Sequence, residues 1–297
     1  IHAAPDVSLE QDLARRDLTI NAMAVPAGRL GPGGAPERQD VIDPYGGAQD
    51  LANKLFRHVG PAIREDPVRI LRAARLAARF PDFSVAPETL QLMREMVASG
   101  EVDHLVPERV WQELASLLPE VDCLWGVAQR ADYHPEVDTG VHVMMVMDMC
   151  ARLQAPLPVR LACLCHDLGK GNTPLDILPR HLGHEQRSVG LLRNLCARLR
   201  VPTECRELAE VVAREHSNIH RSTGLDAAAL VRLLERCDAL RKPARFGQIL
   251  LACECDARGR LGYFDAAYPQ RPHLQAVLAA AQGIDSQEIA ANAMAGG

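Results

Sequence analysis

The chain has 297 residues, of which 47% are hydrophobic and 24% are charged. This composition is typical of a soluble globular protein and excludes a disordered chain, a coiled coil and a collagen-like repeat. The longest apolar runs are too short to span a bilayer, and no signal segment opens the chain, so we expect no membrane association. The net charge of −5 means that any nucleic-acid binding must depend on local basic clusters.

The cysteine count indicates the compartment, and the residue types indicate the fold class. Nine cysteines, an odd number, occur without any CxxC pair, which predicts free thiols and a cytoplasmic protein. Aromatic residues make up only 4%, whereas alanine, leucine and arginine are abundant, and this mixture favours helices over strands. We therefore expect a mainly α protein.

The pattern along the chain predicts four parts. Residues 1–60 have the mixed pattern of an α/β remnant, with a Gly/Pro-rich loop at Gly28–Pro36 and a strand-like run at Asp40–Asp43 that has no evident partner. Residues 61–132 form a helical neck or body, 133–260 an all-helical domain and 261–297 a C-terminal helical segment. In 61–132 and 133–260 the predicted helices are 66–79, 87–99, 107–117, about 140–153, 158–168, 184–200, 204–216, 226–238 and 244–257.

The helix that begins near Asp66 has an unusual arginine face. Arg72, Arg75 and Arg79 fall within about 60° of one another on a helical wheel, opposite the apolar side, and Arg69 flanks them. Such a stripe of one sign repels itself unless an anion or a distant carboxylate neutralises it. One interpretation is a face that is solvated or forms salt bridges within the chain. The other is a face for phosphate, because guanidinium forks match phosphate oxygens.

Five motifs in a fixed order and spacing resemble the bacterial CCA-adding tRNA nucleotidyltransferases of class II. They are Ala4–Glu10, Arg15–Ala22, Asp43–Gly47, Glu65–Arg69 and Pro107–Trp111. The resemblance implies that 1–60 is the remnant of a nucleotidyltransferase head and that 61–132 holds the nucleotide template and binds tRNA. The implied partners are tRNA, CTP and ATP.

The resemblance also implies roles for five residues. Arg16 matches the arginine that holds the incoming nucleotide. Asp66 and Arg69 match the pair whose edges hydrogen-bond to cytosine or adenine, since a carboxylate accepts from an exocyclic amine and a guanidinium donates to ring acceptors. Arg72 and Arg75 match the arginines that contact the triphosphate.

Two departures from the family pattern lead to further expectations. The Gly-Gly loop and the DxD pair that binds Mg²⁺ for nucleotidyl transfer are not in this sequence, so we expect a fragment that binds nucleotide poorly and transfers nothing by itself. At Leu117–Pro119 the family has a further helix, so we expect a shortened neck.

A second constellation lies in 133–260. An apolar helix ends in His166-Asp167-Leu168-Gly169-Lys170, with His142 on the preceding helix and Asp256 on a later one. This order resembles the HD phosphohydrolase superfamily. The resemblance implies that His142, His166, Asp167 and Asp256 bind one or two divalent ions.

The chemistry of these residue types agrees with that implication. Imidazole with carboxylate suits Ni²⁺ or another divalent transition metal, and a water bound to such a metal is a nucleophile near neutral pH. His166 and Asp167 would be catalytic, and Lys170 would hold the scissile phosphate. A capped helix end with a hydrogen-bonded histidine is the alternative. The pattern leaves open whether His181, His184 and His216 are ligands, acid–base groups or neither.

Head and HD motifs in one chain resemble the multifunctional CCA-adding enzymes of bacteria. The resemblance implies addition of C, C and A to the tRNA 3′ end, with phosphatase, 2′-nucleotidase and 2′,3′-cyclic phosphodiesterase activities in the HD domain, in an enzyme that could form a homodimer. Two alternatives remain. One is HD phosphohydrolase activity alone, and the other is a non-catalytic tRNA-binding fragment.

Overall fold

The structure of the protein is a computed structural model that describes residues 7–26, 28 and 38–283. It contains two compact units, 1–119 and 120–297. Helices dominate both, which confirms the mainly α class. Within the described residues, no helix has the length and apolar character needed to cross a bilayer. The four-part division by residue number stays a prediction. The start of the first motif, most of the Gly/Pro-rich loop and residues 284–297 lie outside the described residues.

The first unit combines short elements with three longer helices. A two-residue strand, β1 (Leu55–Phe56), pairs in parallel with a second, β2 (Ser84–Val85), and Leu55 lies opposite Ser84. The elements in chain order are α1 (Leu9–Ala14), α2 (Gly47–Ala52), β1 (Leu55–Phe56), α3 (Val68–Arg79), β2 (Ser84–Val85), α4 (Pro87–Ala98) and α5 (Pro107–Leu117). The three longer helices agree with the predicted ones within two residues at each end.

The strand-like run at Asp40–Asp43 has a partner, contrary to expectation. Ile42 and Ala24 exchange two backbone hydrogen bonds of 2.8 and 3.0 Å in an isolated antiparallel bridge. The next residues cap α2, because the Asp43 carboxylate accepts from the backbone N–H groups of Gly47 and Ala48 at 2.7 and 2.9 Å. A Cβ at Gly47 would lie 2.2 Å from the carbonyl oxygen of Thr19, so only glycine fits this approach.

The apolar side of α3 forms a small core with α4. Ile63, Ala73, Met93 and Met96 are its buried members, and their removal from water is the main force that holds these helices together. The opposite side of α3 packs against α5. This packing brings acidic residues of α5 to the arginines of α3.

The second unit is a helical bundle built around α10. Its helices are α6 (Pro119–Asp122), α7 (Thr139–Arg152), α8 (Leu157–Cys165), α9 (His184–Arg198), α10 (Thr203–His220), α11 (Ala227–Arg236), α12 (Pro243–Arg258) and α13 (Gln270–Gln282). α10 packs against α8, α9, α11 and α12, and α7 packs against α8 and α12. The facing sides carry leucine, valine, isoleucine and cysteine, and this apolar core positions the polar site described next.

Two helix ends differ from the prediction by three residues or more. α8 ends at Cys165 rather than 168, and Leu168–Lys170 forms a 3₁₀ turn. α10 continues to His220 rather than ending at 216, which adds one turn and a histidine to the site.

Candidate functional site

The four predicted metal ligands lie side by side in the second unit. His142 is on α7, His166 caps the end of α8, Asp167 follows it and Asp256 is on α12, and all four are buried. His142 Nε2 lies 3.1 Å from Asp256 Oδ1, and His166 Nε2 lies 3.1 Å from Asp167 Oδ2 and 3.7 Å from Asp256 Oδ1. His142 Nε2 is 4.0 Å from Asp167 Oδ2. Residues 114 positions apart in the chain therefore share one centre.

Glycine at position 169 allows a neighbouring helix to approach this centre. A Cβ there would lie 2.2 Å from the carbonyl oxygen of His184 and 2.6 Å from the backbone nitrogen of Ser188. The Gly169 N–H donates to Ser188 Oγ at 2.8 Å. The first turn of α9 is thereby held against the turn that follows Asp167, and His184 reaches the site.

A second set of donors uses the other oxygen of Asp167. Its Oδ1 lies 3.4 Å from His184 Nε2 and 3.7 Å from His216 Nε2, and these two Nε2 atoms are 3.4 Å apart. His181, the third residue that the sequence left open, is engaged elsewhere. Its Nδ1 is 2.7 Å from Thr173 Oγ1, and its Nε2 contacts a backbone carbonyl at 3.1 Å.

Backbone carbonyl oxygens fix the orientation of three of these rings. The Nδ1 atoms of His166, His184 and His216 lie 2.7, 2.8 and 3.0 Å from the carbonyl oxygens of Cys163, His181 and Val212. A carbonyl oxygen only accepts, so each Nδ1 carries the hydrogen. In the neutral ring the lone pair is then on Nε2, which faces the centre, as a metal ligand requires.

The charges around the centre favour a cation there. Burial alone would raise the pKa of Asp167 and of Asp256. His166 and Lys170 hold the pKa of Asp167 well below its usual range, and His220 and His166 do the same for the pKa of Asp256. Burial lowers the pKa of His216 to about 3. Burial would also lower the pKa of His166, but the negative charges of Asp167 and Asp256 raise it to about 9. Charges that favour a proton at this position also favour a metal cation.

Two buried polar atoms at the centre have no hydrogen-bond partner among the described residues. They are His166 Nε2 and Asp167 Oδ1. Buried polar atoms are rarely unpaired, and such exceptions require an explanation, for example an ion. The residues present fit a divalent metal, because the donors are imidazole nitrogens and carboxylate oxygens that converge within the reach of a cation.

Lys170 lies on the same wall of the site. Its Nζ donates to Gln129 Oε1 at 2.5 Å and lies 2.7 Å from Asp167 Oδ2, and the side chain is buried. The predicted catalytic trio of His166, Asp167 and Lys170 is therefore contiguous in space.

The sequence analysis missed two residues of the site. Glu136 Oε1 lies 2.9 Å from His142 Nδ1, and His220 Nε2 lies 2.6 Å from Asp256 Oδ2. A signal existed for His220, because its four-residue spacing from His216 places both on one side of a helix. Glu136 precedes α7 in a loop, and no spacing in the sequence points to it.

The predicted nucleotide residues lie in the first unit. A cavity of about 920 Å³ is lined by Asp12, Arg15, Arg16, Asp17, Asn21, Glu65, Asp66, Arg69, Arg72 and Arg109. Four of the five predicted residues are among these. Arg75 is not, and its Nε lies 3.1 Å from Glu113 Oε2 instead.

Carboxylates from distant parts of the chain neutralise the arginine face. Arg72 Nε donates to Glu113 Oε1 at 2.8 Å, and Asp17 lies 3.0 Å from Arg69 Nε and 3.4 Å from Arg72 Nη1. The hydrogen bond to Glu113 is the main cause that raises the pKa of Arg72. Arg109, the other α5 residue at the site, donates to Asp66 Oδ2 at 2.5 Å.

Known families match both units. A profile described as the HD domain matches residues 139–242, and one described as the poly A polymerase head domain matches residues 2–57. A multifunctional CCA protein of Polaromonas naphthalenivorans is 63% identical over 321 aligned positions, which cover 100% of this chain and 76% of that protein. The multifunctional CCA protein of Paracidovorax citrulli is 65% identical over 319 positions, covering 100% and 75%.

Both alignments are longer than this chain, so each relative carries residues that the chain lacks between the aligned ends. A solved CCA-adding enzyme in complex with ATP is similar at 16% identity and a TM-score of 0.36, over 93% of this chain and 60% of that one. That likeness is too distant to support an argument. Because the identity of more than 60% extends over the whole length of this chain, the chain belongs to the family of multifunctional CCA proteins, which are CCA-adding tRNA nucleotidyltransferases with an HD domain.

Proposed function

We propose that the second unit is a metal-dependent phosphohydrolase that acts on phosphate esters of nucleotides and tRNA ends, with phosphatase, 2′-nucleotidase and 2′,3′-cyclic phosphodiesterase activity. The observation that carries this proposal is the pair of buried atoms without partners, His166 Nε2 and Asp167 Oδ1, at the point where two sets of donors meet. A helix end that only needed a cap would leave no such atoms.

Two cations fit the donors. His142, His166, Asp167 and Asp256 would hold one, and Asp167 with His184 and His216 would hold the other, since each set lies within ligand reach. Imidazole and carboxylate favour Ni²⁺ or another divalent transition metal. When bound, such ions polarise a phosphate oxygen and activate water as a nucleophile.

The protein's own residues prepare the site for that chemistry. The backbone carbonyls that accept from Nδ1 keep His166, His184 and His216 oriented, so little reorganisation accompanies binding. Lys170, buried beside Asp167, supplies a positive charge that an incoming phosphate would meet. Burial of the donors keeps bulk water from competing with the substrate.

The test is hydrolysis of 2′,3′-cyclic AMP with Ni²⁺ by the chain and by His166→Ala. We expect hydrolysis that is lost with the substitution or with a chelator. His104→Ala is the matched control, because His104 is exposed in the first unit, and it should keep full activity. If the chain binds tRNA in a salt-sensitive way and hydrolyses nothing, it is a tRNA-binding scaffold and the proposal is wrong.

We also propose that the first unit binds CTP and ATP and serves CCA addition to tRNA, with Mg²⁺ for the transfer step. The cavity lined by Arg16, Asp66, Arg69 and Arg72 supports this role, because it joins guanidinium forks for phosphate to a carboxylate that can accept from a base amine. Nine free thiols agree with a cytoplasmic setting.

CTP binding by this unit can be measured by calorimetry, which needs no transfer reaction. We expect Arg69→Ala to weaken it about tenfold or more, as loss of a charge-assisted contact would. Arg193→Ala, an exposed arginine paired with Glu210 in the other unit, should leave it unchanged. Equal CTP affinity in the two variants would refute the assignment. A separate assay, CTP incorporation into tRNA that lacks its 3′ end, tests whether this chain transfers nucleotides.

A further inference from the structure

A broad cavity adjoins the predicted metal ligands, and Arg260 forms part of its wall. The cavity measures about 890 Å³, and Lys170, His184 and His220 line it as well. Arg260 follows the end of α12, four residues after Asp256. Its side chain is 21% exposed, so the guanidinium is mostly withdrawn from water.

The close packing of Gly259 fixes the position of Arg260. A Cβ at Gly259 would lie 2.6 Å from Val146 Cα, so the chain touches α7 there and cannot move closer. The neighbouring arginine does not compete for the same role. Arg258 donates to the carbonyl oxygen of Phe264 at 2.9 and 3.1 Å and to Glu254 Oε1 at 2.8 Å, which uses its guanidinium on the protein.

The Arg260 guanidinium, in contrast, makes no hydrogen bond to the described residues. Its Nε is buried and has no partner. Its Nη2 lies 3.8 Å from Asp256 Oδ1, which is too far for a hydrogen bond. A largely buried guanidinium that makes no hydrogen bond is costly, and an anion that binds to it offsets the cost.

We propose that Arg260 binds a phosphate oxygen of the substrate in the HD unit, a role that rests on the proposed phosphohydrolase function. Asp256 Oδ1, the acid nearest to Arg260, belongs to the predicted ligand set. When that oxygen is committed to a cation it no longer neutralises Arg260, and the planar fork is free for an anion in the cavity. Arg260 is thus a substrate-binding residue for a phosphate group bound next to the ligands.

The probe is inorganic phosphate, and its binding to the Mn²⁺-loaded chain is read from paramagnetic relaxation of the ³¹P signal, without turnover. We expect Arg260→Ala to raise the Kd for phosphate about tenfold or more and to leave the Kd for Mn²⁺ unchanged. Arg260→Lys, which keeps the charge and loses the fork, should fall between. Arg152→Ala, an exposed arginine paired with Asp265, is the matched control.

Each outcome decides the matter. A phosphate Kd within twofold of the unsubstituted chain for both Arg260 variants, with Mn²⁺ still bound, would overturn the role of Arg260 alone. Loss of Mn²⁺ from both variants would assign Arg260 to positioning Asp256 and would also overturn it. If the unsubstituted chain binds no Mn²⁺, the phosphohydrolase function itself fails, and the role of Arg260 fails with it.

Discussion

Glu136 provides a test of the site that the sequence did not suggest. Its side chain is 2% exposed, and Oε1 lies 2.9 Å from His142 Nδ1 and 3.0 Å from His134 Nδ1. Burial by itself raises the pKa of Glu136, but the two imidazoles hold it well below the usual range, so the carboxylate is charged. A charged partner on Nδ1 orients His142 and makes its Nε2 a stronger ligand.

In the unsubstituted chain the backbone nitrogen of Leu261 donates to Glu136 Oε2 at 3.2 Å. The substitution Glu136→Gln keeps the size of the side chain and one oxygen that can accept this hydrogen bond. It removes the charge behind His142. Loss of such a partner costs about 10- to 100-fold in metal affinity, or about 1.4 to 2.8 kcal/mol. In a calorimetric Mn²⁺ titration of the chain, we expect the binding step that depends on His142 to weaken by this factor. The step that depends on His184 and His216 should shift less.

Glu207→Gln is the matched control, because Glu207 is 43% exposed and pairs with Lys242 and Arg245 at the surface. It should leave both binding steps unchanged. The reasoning is refuted if Glu136→Gln binds Mn²⁺ within twofold of the unsubstituted chain while His142→Ala loses a binding step. In that case His142 is a ligand that needs no orienting charge.

Four further substitutions, in three experiments, test the rest of the structure. His181→Gln should leave the number of bound Mn²⁺ ions unchanged, whereas His184→Ala should lower it by one, because His184 lies beside Asp167 and His181 is engaged with Thr173. Metal analysis after dialysis decides. Gly169→Ala forces backbone apart and should cost about 1–3 kcal/mol of stability in urea unfolding, so an unchanged midpoint would argue against the close approach of α9. Glu113→Gln keeps an acceptor for Arg72 but removes the negative charge that pairs with Arg72 and Arg75, and it should lower the thermal midpoint by the equivalent of about 1 kcal/mol, since Arg72 is partly exposed.

Much of the candidate site could be predicted because its chemistry is concentrated in local patterns. The His166-Asp167 pair at the end of an apolar helix is visible in the sequence, and His142 and Asp256 lie on helices whose periodicity is clear. Apolar periodicity decides which side of each helix is buried, so it also decides that these polar residues point inward. Their convergence follows from packing those sides together.

The remaining features depend on contacts between distant segments, which no local pattern encodes. Glu113 and Asp17 meet the arginines of α3 only because α5 and the segment after α1 pack there. The bridge between Ala24 and Ile42 joins residues that are far apart in the chain, and one pair of residues carries too little alternation to reveal it. The extra turn of α10 was missed because His216 and Asn218 are weak helix formers, and tertiary packing overrode that preference.

The backbone carbonyl oxygens that orient three of the imidazoles make those orientations insensitive to mutation. No replacement of the side chains at Cys163, His181 or Val212 can delete a carbonyl oxygen, so those rings keep their tautomer through any amount of neutral drift at these positions. His142 is held by a side chain, and a single codon change can remove that support. The orientation of His142 is therefore easier to lose by mutation than that of His166, His184 or His216.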